Sequence, residues 1–188
     1  MYWEAVKMKK YLGFVGFDPG TKGGAIALLV SPRREKEKVS FVKSLDFHLV
    51  PTLGGRKDCV DVYWLNDVLQ KWNEHKNISI EMVAIEDVHA FPKQGVASAF
   101  WFGDSFGAIK SAVAAIRAPC KLVTPARWQK ATIGKRAGGN HELIRSEAIR
   151  MFPDVDLSNK GDHNRACALM LAKYAKMGYY GEIIDGKK

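Results

Sequence analysis

The feature that most constrains this chain is a pair of apolar runs joined by a glycine-rich turn. Tyr11-Leu12-Gly13-Phe14-Val15-Gly16-Phe17 leads to Asp18. Pro19-Gly20-Thr21-Lys22-Gly23 turns the chain, and Gly24-Ala25-Ile26-Ala27-Leu28-Leu29 follows at once. Both runs read as strands, and Pro and Gly supply the corners of the turn between them. Because both arms are apolar, the hairpin lies in the core with Asp18 at its lip. A carboxylate there is costly unless a cation or hydrogen bonds compensate it. A buried strand that delivers a carboxylate to a tight turn suggests metal-assisted chemistry on a phosphate ester. Asp18-Pro19-Gly20-Thr21 taken alone equally fits an ordinary type I or II turn.

Further strands read over Val39–Phe47, Ile78–Glu86 and Cys120–Val123, with the first two covering Lys9–Phe17 and Gly24–Val30. Ser31–Lys38 is a charged turn, and Leu49–Arg56, with Pro and Gly, reads as a loop. From Asp58 the apolar stripe Val60, Val62, Tyr63, Leu65, Val68, Leu69, Trp72 has helical period, ended by Asn73–Asn77. Ser98–Ala118 reads as a long helix in which Gly103 and Gly107 permit close packing. Thr124-Pro125 opens a short helix through Lys130, and His141–Phe152 and His163–Met177 are the last two helices. A strand meander followed by alternating helix and strand predicts an α/β three-layer fold with a central five-stranded mixed sheet flanked by helices. No linker divides it, so residues 1–188 are expected to form one domain, with 1–10 an N-terminal extension and 178–188 a C-terminal tail.

No apolar run approaches the ~20 residues needed to span a bilayer, and no signal-peptide core follows the N-terminal charges. The expectation is a soluble intracellular protein, cytoplasmic, nucleoid-associated, viral or organellar. Cys59, Cys120 and Cys167 are widely spaced and form no zinc-knuckle pattern. The formal net charge of +9 and pI near 9.5 favour a polyanionic partner, nucleic acid first. Arg127, Lys130, Lys135 and Arg136 cluster near glycines, as in a loop that tracks phosphates; a solvated loop looks similar.

Glu86 repeats the pattern of Asp18 at the end of Met82-Val83-Ala84-Ile85. Were the two strands parallel neighbours, both carboxylates would end on one side of the sheet, where a hard divalent cation relieves their repulsion. A buried Glu paired with Lys or Arg is the alternative. Lys160-Gly161-Asp162-His163-Asn164 opens the last helix and could complete the site: Asp162 as a ligand, His163 as a ligand or a group that orients or deprotonates water. Either residue alone also fits a plain N-cap or a surface histidine.

Four segments, in order, resemble a known family. Phe14–Ala27 resembles the opening strand motif of RuvC-type Holliday-junction resolvases, and Val83–Pro92 resembles their second acidic strand. Gly103–Gly107 with Leu122–Lys130 is similar to the phage and organellar branch, and the last helix to the family's C-terminal acidic helix. The resemblance runs from about Tyr11 to Tyr174 and implies a ribonuclease H-like fold. It implies a metal-dependent endodeoxyribonuclease that resolves four-way junctions by paired phosphodiester hydrolysis, leaving 5′ phosphates and 3′ hydroxyls. Two Mg²⁺ or Mn²⁺ ions about 4 Å apart would sit among Asp18, Glu86, Asp162 and His163. Lys160 would hydrogen-bond the scissile phosphate or simply face solvent. Thr21 and Lys22 would touch the DNA backbone. Phe91, Lys93 and Gln94 would lie near the junction centre, with Phe91 stacking on a base or lidding the core. Trp128 is expected in the core. A homodimer is implied, since a four-way junction takes two symmetric nicks, with the Ser98–Ala118 helix as candidate interface. Related sequences carry an acid four residues after the position of His163, where this chain has Cys167, a poor ligand for hard ions; helix packing is the expected role of that thiol.

Three other readings differ in class. Asp18-Pro19-Gly20-Thr21 also resembles the phosphate loop of actin-like phosphotransferases, but no second nucleotide-binding half follows, so no nucleotide cofactor is expected. A non-catalytic junction-binding protein would tolerate Cys167. Another ribonuclease H-like or YqgF-like nuclease would share the Asp-x-Gly-Thr-Lys pattern.

Overall fold

A computed structural model of the chain describes residues 9–20, 23–35, 38–51, 58–90, 95–134 and 138–183. Thr21, Lys22, Phe91, Lys93, Gln94, Lys135 and Arg136, each singled out above, lie outside the described residues.

The apolar hairpin is the centre of the molecule. Strand β1 (Tyr11–Asp18) pairs antiparallel with β2 (Ala25–Pro32), and β2 pairs antiparallel with β3 (Phe41–Asp46). A two-stranded ribbon of β4 (Leu49–Pro51) and β5 (Asp58–Val60) follows. The next strands, β6 (Ile78–Glu86) and β7 (Cys120–Val123), add in parallel on the other edge of β1. The main sheet is therefore five-stranded and mixed, in the order β3-β2-β1-β6-β7. Six of the eight β1 residues and seven of the eight in β2 are buried, because helices cover both faces.

Period-2 alternation divides these strands between two cores. Leu12, Phe14, Ala25, Ala27, Leu29 and Ala84 pack under α3 (Pro125–Thr132), α4 (His141–Met151) and α5 (His163–Tyr179). Val15, Phe17, Ile26, Leu28, Val83 and Ile85 pack under α1 (Val62–Asn73) and α2 (Val96–Ala115). The expected three layers are present. Among the described residues, no helix is long and apolar enough to cross a membrane.

The largest departure from the sequence reading is ahead of α1; β3 (Phe41–Asp46 rather than Val39–Phe47) and α2 (Val96–Ala115 rather than Ser98–Ala118) shift by a few residues. The helix expected from Asp58 begins at Val62, because Asp61 caps it, its side chain accepting from the Trp64 amide at 3.1 Å. The preceding Asp58–Val60 pairs instead with Leu49–Pro51, inside the stretch read as a loop. Non-local pairing won over a locally helical spacing there.

Candidate active site

Asp18 and Glu86 are the last residues of neighbouring parallel strands. The register pairs Phe17 with Ile85, so the two carboxylates stand side by side one residue further on. Adjacent strands lie ~4.8 Å apart. Phe17 and Ile85 point into the α1–α2 core, which sends Asp18 and Glu86 to the opposite face, under α5.

Helix α5 runs antiparallel to β1. Its last turn meets the middle of the strand, where Phe14 packs on Tyr179 with ring centroids 5.5 Å apart. Its first turns therefore overhang Asp18. Contact is close because of Gly16: a Cβ there would overlap the Ala168 carbonyl and the Ala172 amide nitrogen, so helix backbone rests on strand backbone. Gly24 closes the turn in the same way, since its Cβ would collide with the Asp18 carbonyl.

Burial first, and then the neighbouring Glu86 charge, hold the Asp18 carboxyl well above the usual carboxylate range. Glu86 is also raised by burial, partly offset by a hydrogen bond from the Trp128 indole Nε1 to its Oε2 at 2.8 Å. Trp128 is fully buried, as expected of a core residue. The bond to Glu86 went unread in the sequence, since forty-two positions separate the partners. Cys167 closes the α5 side. It is 5 % exposed, and burial followed by the charges of Asp18 and Glu86 pushes its thiol well up.

The rest of the expected cluster gathers to one side. Asp162 is buried, and its Oδ2 accepts from the Asn159 amide at 2.9 Å in a capping box. Its Oδ1 meets Arg165 Nη1 at 3.4 Å. The Ser44 hydroxyl donates to the Arg165 carbonyl at 3.3 Å, which places this group beside β3 and its Asp46. Asp46 pairs with Ala25, and Ala25 with Asp18, so Asp46 stands two strands from Asp18, ~10 Å away. Asp46 was missed, though the alternation of its strand could have flagged it. His163 stacks edge-on against His141, centroids 5.1 Å apart, one helical turn before Cys167 on α5. Lys160, Arg127 and Lys130 are exposed.

The donor chemistry suits a hard divalent cation between Asp18 and Glu86. Both carboxylates are crowded and mutually repelling, and among the described residues neither is ion-paired with a Lys, Arg or His. Beyond the pair the donors thin out: among the described residues no group of three or more His, Cys, Asp or Glu is placed to hold a metal ion.

Comparison with known proteins comes from structure alone. No family model matches the chain, and no curated protein matches it by sequence. The structure of T. thermophilus RuvC in complex with a Holliday junction substrate superposes with a TM-score of 0.59 at 17% identity, covering 92% of this chain and 94% of that one. A second Thermus thermophilus RuvC structure gives 0.54 at 18%, covering 92% and 95%. The chain has the RuvC fold, a ribonuclease H-like α/β architecture.

Proposed function

We propose that this protein is a divalent-metal-dependent endodeoxyribonuclease that resolves four-way DNA junctions. The observation that carries the reading is the Asp18–Glu86 pair, side by side at the carboxyl ends of the two central parallel strands of a RuvC-like sheet. The similar T. thermophilus RuvC structure is a complex with a Holliday junction substrate, which supports a branched-DNA substrate here.

Asp18 and Glu86 would hold Mg²⁺ or Mn²⁺, which when bound activates a water and neutralises charge on a phosphodiester. The Trp128 indole keeps Glu86 oriented and favours its ionised form. His163, partly exposed at the start of α5, is assigned the task of orienting or deprotonating the attacking water. The amino end of α5 over the site favours an approaching phosphate. Lys160 would hydrogen-bond that phosphate, while Thr21, Lys22, Phe91, Lys93, Gln94, Arg127, Lys130, Lys135 and Arg136 would line the path of the DNA. The second ion that the family resemblance implies would need a donor on the α5 side. There Asp162 is engaged with Asn159 and Arg165, and Cys167 offers a thiol. The proposal commits to the ion between Asp18 and Glu86.

The proposal includes a homodimer. The first half of α2 is apolar and uncovered: Val96 is 87% and Phe100 66% exposed, and among the described residues nothing stands over Gly103 or Gly107. An apolar helical face with open glycines suits a second copy of the chain, which would set two sites for paired nicks.

One gel tests the reading. Labelled four-way junction, linear duplex and RNA–DNA hybrid are each incubated with magnesium, manganese or chelator. Paired metal-dependent nicks in the junction alone are expected; cleavage of the hybrid alone would replace the reading with a ribonuclease H-like one. Cys167 favours a second reading, a junction-binding protein without catalysis. It predicts tight binding with no product in either metal.

A further inference from the structure

The pole of the sheet opposite Asp18 carries a second concentration of charge. Where β1 starts and β2 ends, a cleft of about 590 Å³ opens between the chain entering β1 and the turn that leaves β2. Lys9 and Lys10 form one wall and Arg33, Arg34 and Lys38 the other, with Glu35 the one carboxylate among the described lining residues. The walls are tied together: the Arg33 amide donates to the Lys10 carbonyl at 3.1 Å, and Arg33 Nε donates to the Lys9 carbonyl at 3.2 Å.

The five cations do two different jobs. Arg33 is braced by Glu81 at 3.1 Å, and Lys9 Nζ donates to the Asn73 carbonyl at 2.7 Å, so these two build the cleft. Lys10, Arg34 and Lys38 are exposed. Lys10 and Arg34 make no ion pair with a described residue. Lys38 reaches Glu35 at 3.5 Å with both side chains about 60% exposed, a pair too solvated to neutralise it. Three exposed cations on a concave floor tied by the Arg33 hydrogen bonds suit a ridge of phosphates. A membrane surface would instead call for protruding apolar side chains between the cations, and among the described residues the lining offers Tyr11 and Pro32.

We infer that this cleft is a second nucleic-acid contact, taking the phosphate backbone of a duplex stretch remote from Asp18. Eight strand residues separate the two poles, ~23 Å at strand rise. That is roughly seven base pairs at ~3.4 Å each. The cleft therefore holds backbone further along the DNA than any phosphate lying at the carboxylates. The inference concerns binding and stands whether or not the carboxylates cleave.

The test is the salt dependence of binding to a labelled linear duplex and a labelled four-way junction, read by anisotropy. The protein carries Lys10→Ala, Arg34→Ala and Lys38→Ala together, and melting temperature shows that these exposed changes leave the fold intact. Each lost phosphate contact lowers the log–log salt slope by ~0.9, so a drop of about 2–3 is expected. Asp18→Asn should keep the full slope, which separates this inference from the cleavage reading. A triple variant with the wild-type slope on both DNAs overturns it. So does a variant that loses binding to phosphatidylserine vesicles while its DNA slope is unchanged, since that makes the cleft a membrane contact.

Discussion

Trp128 donates its indole N–H to Glu86 at 2.8 Å, so a fully buried aromatic on α3 fixes one of the two carboxylates at the sheet's end. Core packing and site chemistry share one side chain. Trp128→Phe keeps most of the packing and removes the donor. The bond favours the ionised carboxylate, so its loss raises the pH at which Glu86 ionises. The expected result is a stability loss of about 2–3 kcal/mol and a cleavage profile whose acid limb moves to higher pH. Denaturant titration and a pH–rate series check the two parts separately. An unmoved acid limb would mean that the bond serves packing alone.

Asp18 and Glu86 both bind protons more tightly in the folded chain than in the unfolded one. Groups with raised folded pKa values contribute stability that is complete below the ordinary carboxylate range. That contribution is lost as pH rises through the raised values. The metal-free protein is therefore expected to lose stability from this pair as pH rises above the ordinary carboxylate range. Manganese or magnesium should restore it, and Asp18→Asn should flatten the dependence and raise the neutral-pH melting temperature. Each 1 kcal/mol corresponds to about 2–4 °C for a chain this size. Thermal melts in chelator across the pH range read it directly.

The exposed start of α2 predicts an oligomer that can be broken without unfolding. Phe100 is 66% exposed, so Phe100→Glu costs little in the single chain. Placed in an apolar interface, the same change buries an unpaired charge. Light scattering is expected to show a dimer for the wild type and a monomer for the variant, with paired nicks in a junction replaced by single ones. A wild-type monomer would remove the dimer from the account.

The central sheet was legible because its signals are local. Both arms of the Tyr11–Leu29 hairpin are apolar, and Ile78–Glu86 and Cys120–Val123 form strands over the residues their composition suggested. That Asp18 and Glu86 end buried runs was also readable, and the parallel pairing set them side by side. Other features depend on contacts that sequence spacing does not encode. The closeness of α5 rests on the missing Cβ of Gly16, 152 positions before Ala168. The sequence offers Asp162 as a metal ligand or as a plain N-cap, and in the fold its oxygens meet Asn159 and Arg165. The same N-terminal position serves capping and coordination, and composition does not separate them. Cys167 was expected to be helix packing. It is buried, and it also borders the carboxylates, because the face that packs on β1 overhangs the strand's end.

The most direct test of the account is single-turnover cleavage of a labelled four-way junction in magnesium or manganese by the wild type, Asp18→Asn and Glu86→Gln. The account predicts paired nicks from the wild type. Both variants should lose on the order of 10³-fold in rate, equivalent to about 4 kcal/mol, and still bind the junction. Cleavage by Asp18→Asn at the wild-type rate would contradict it.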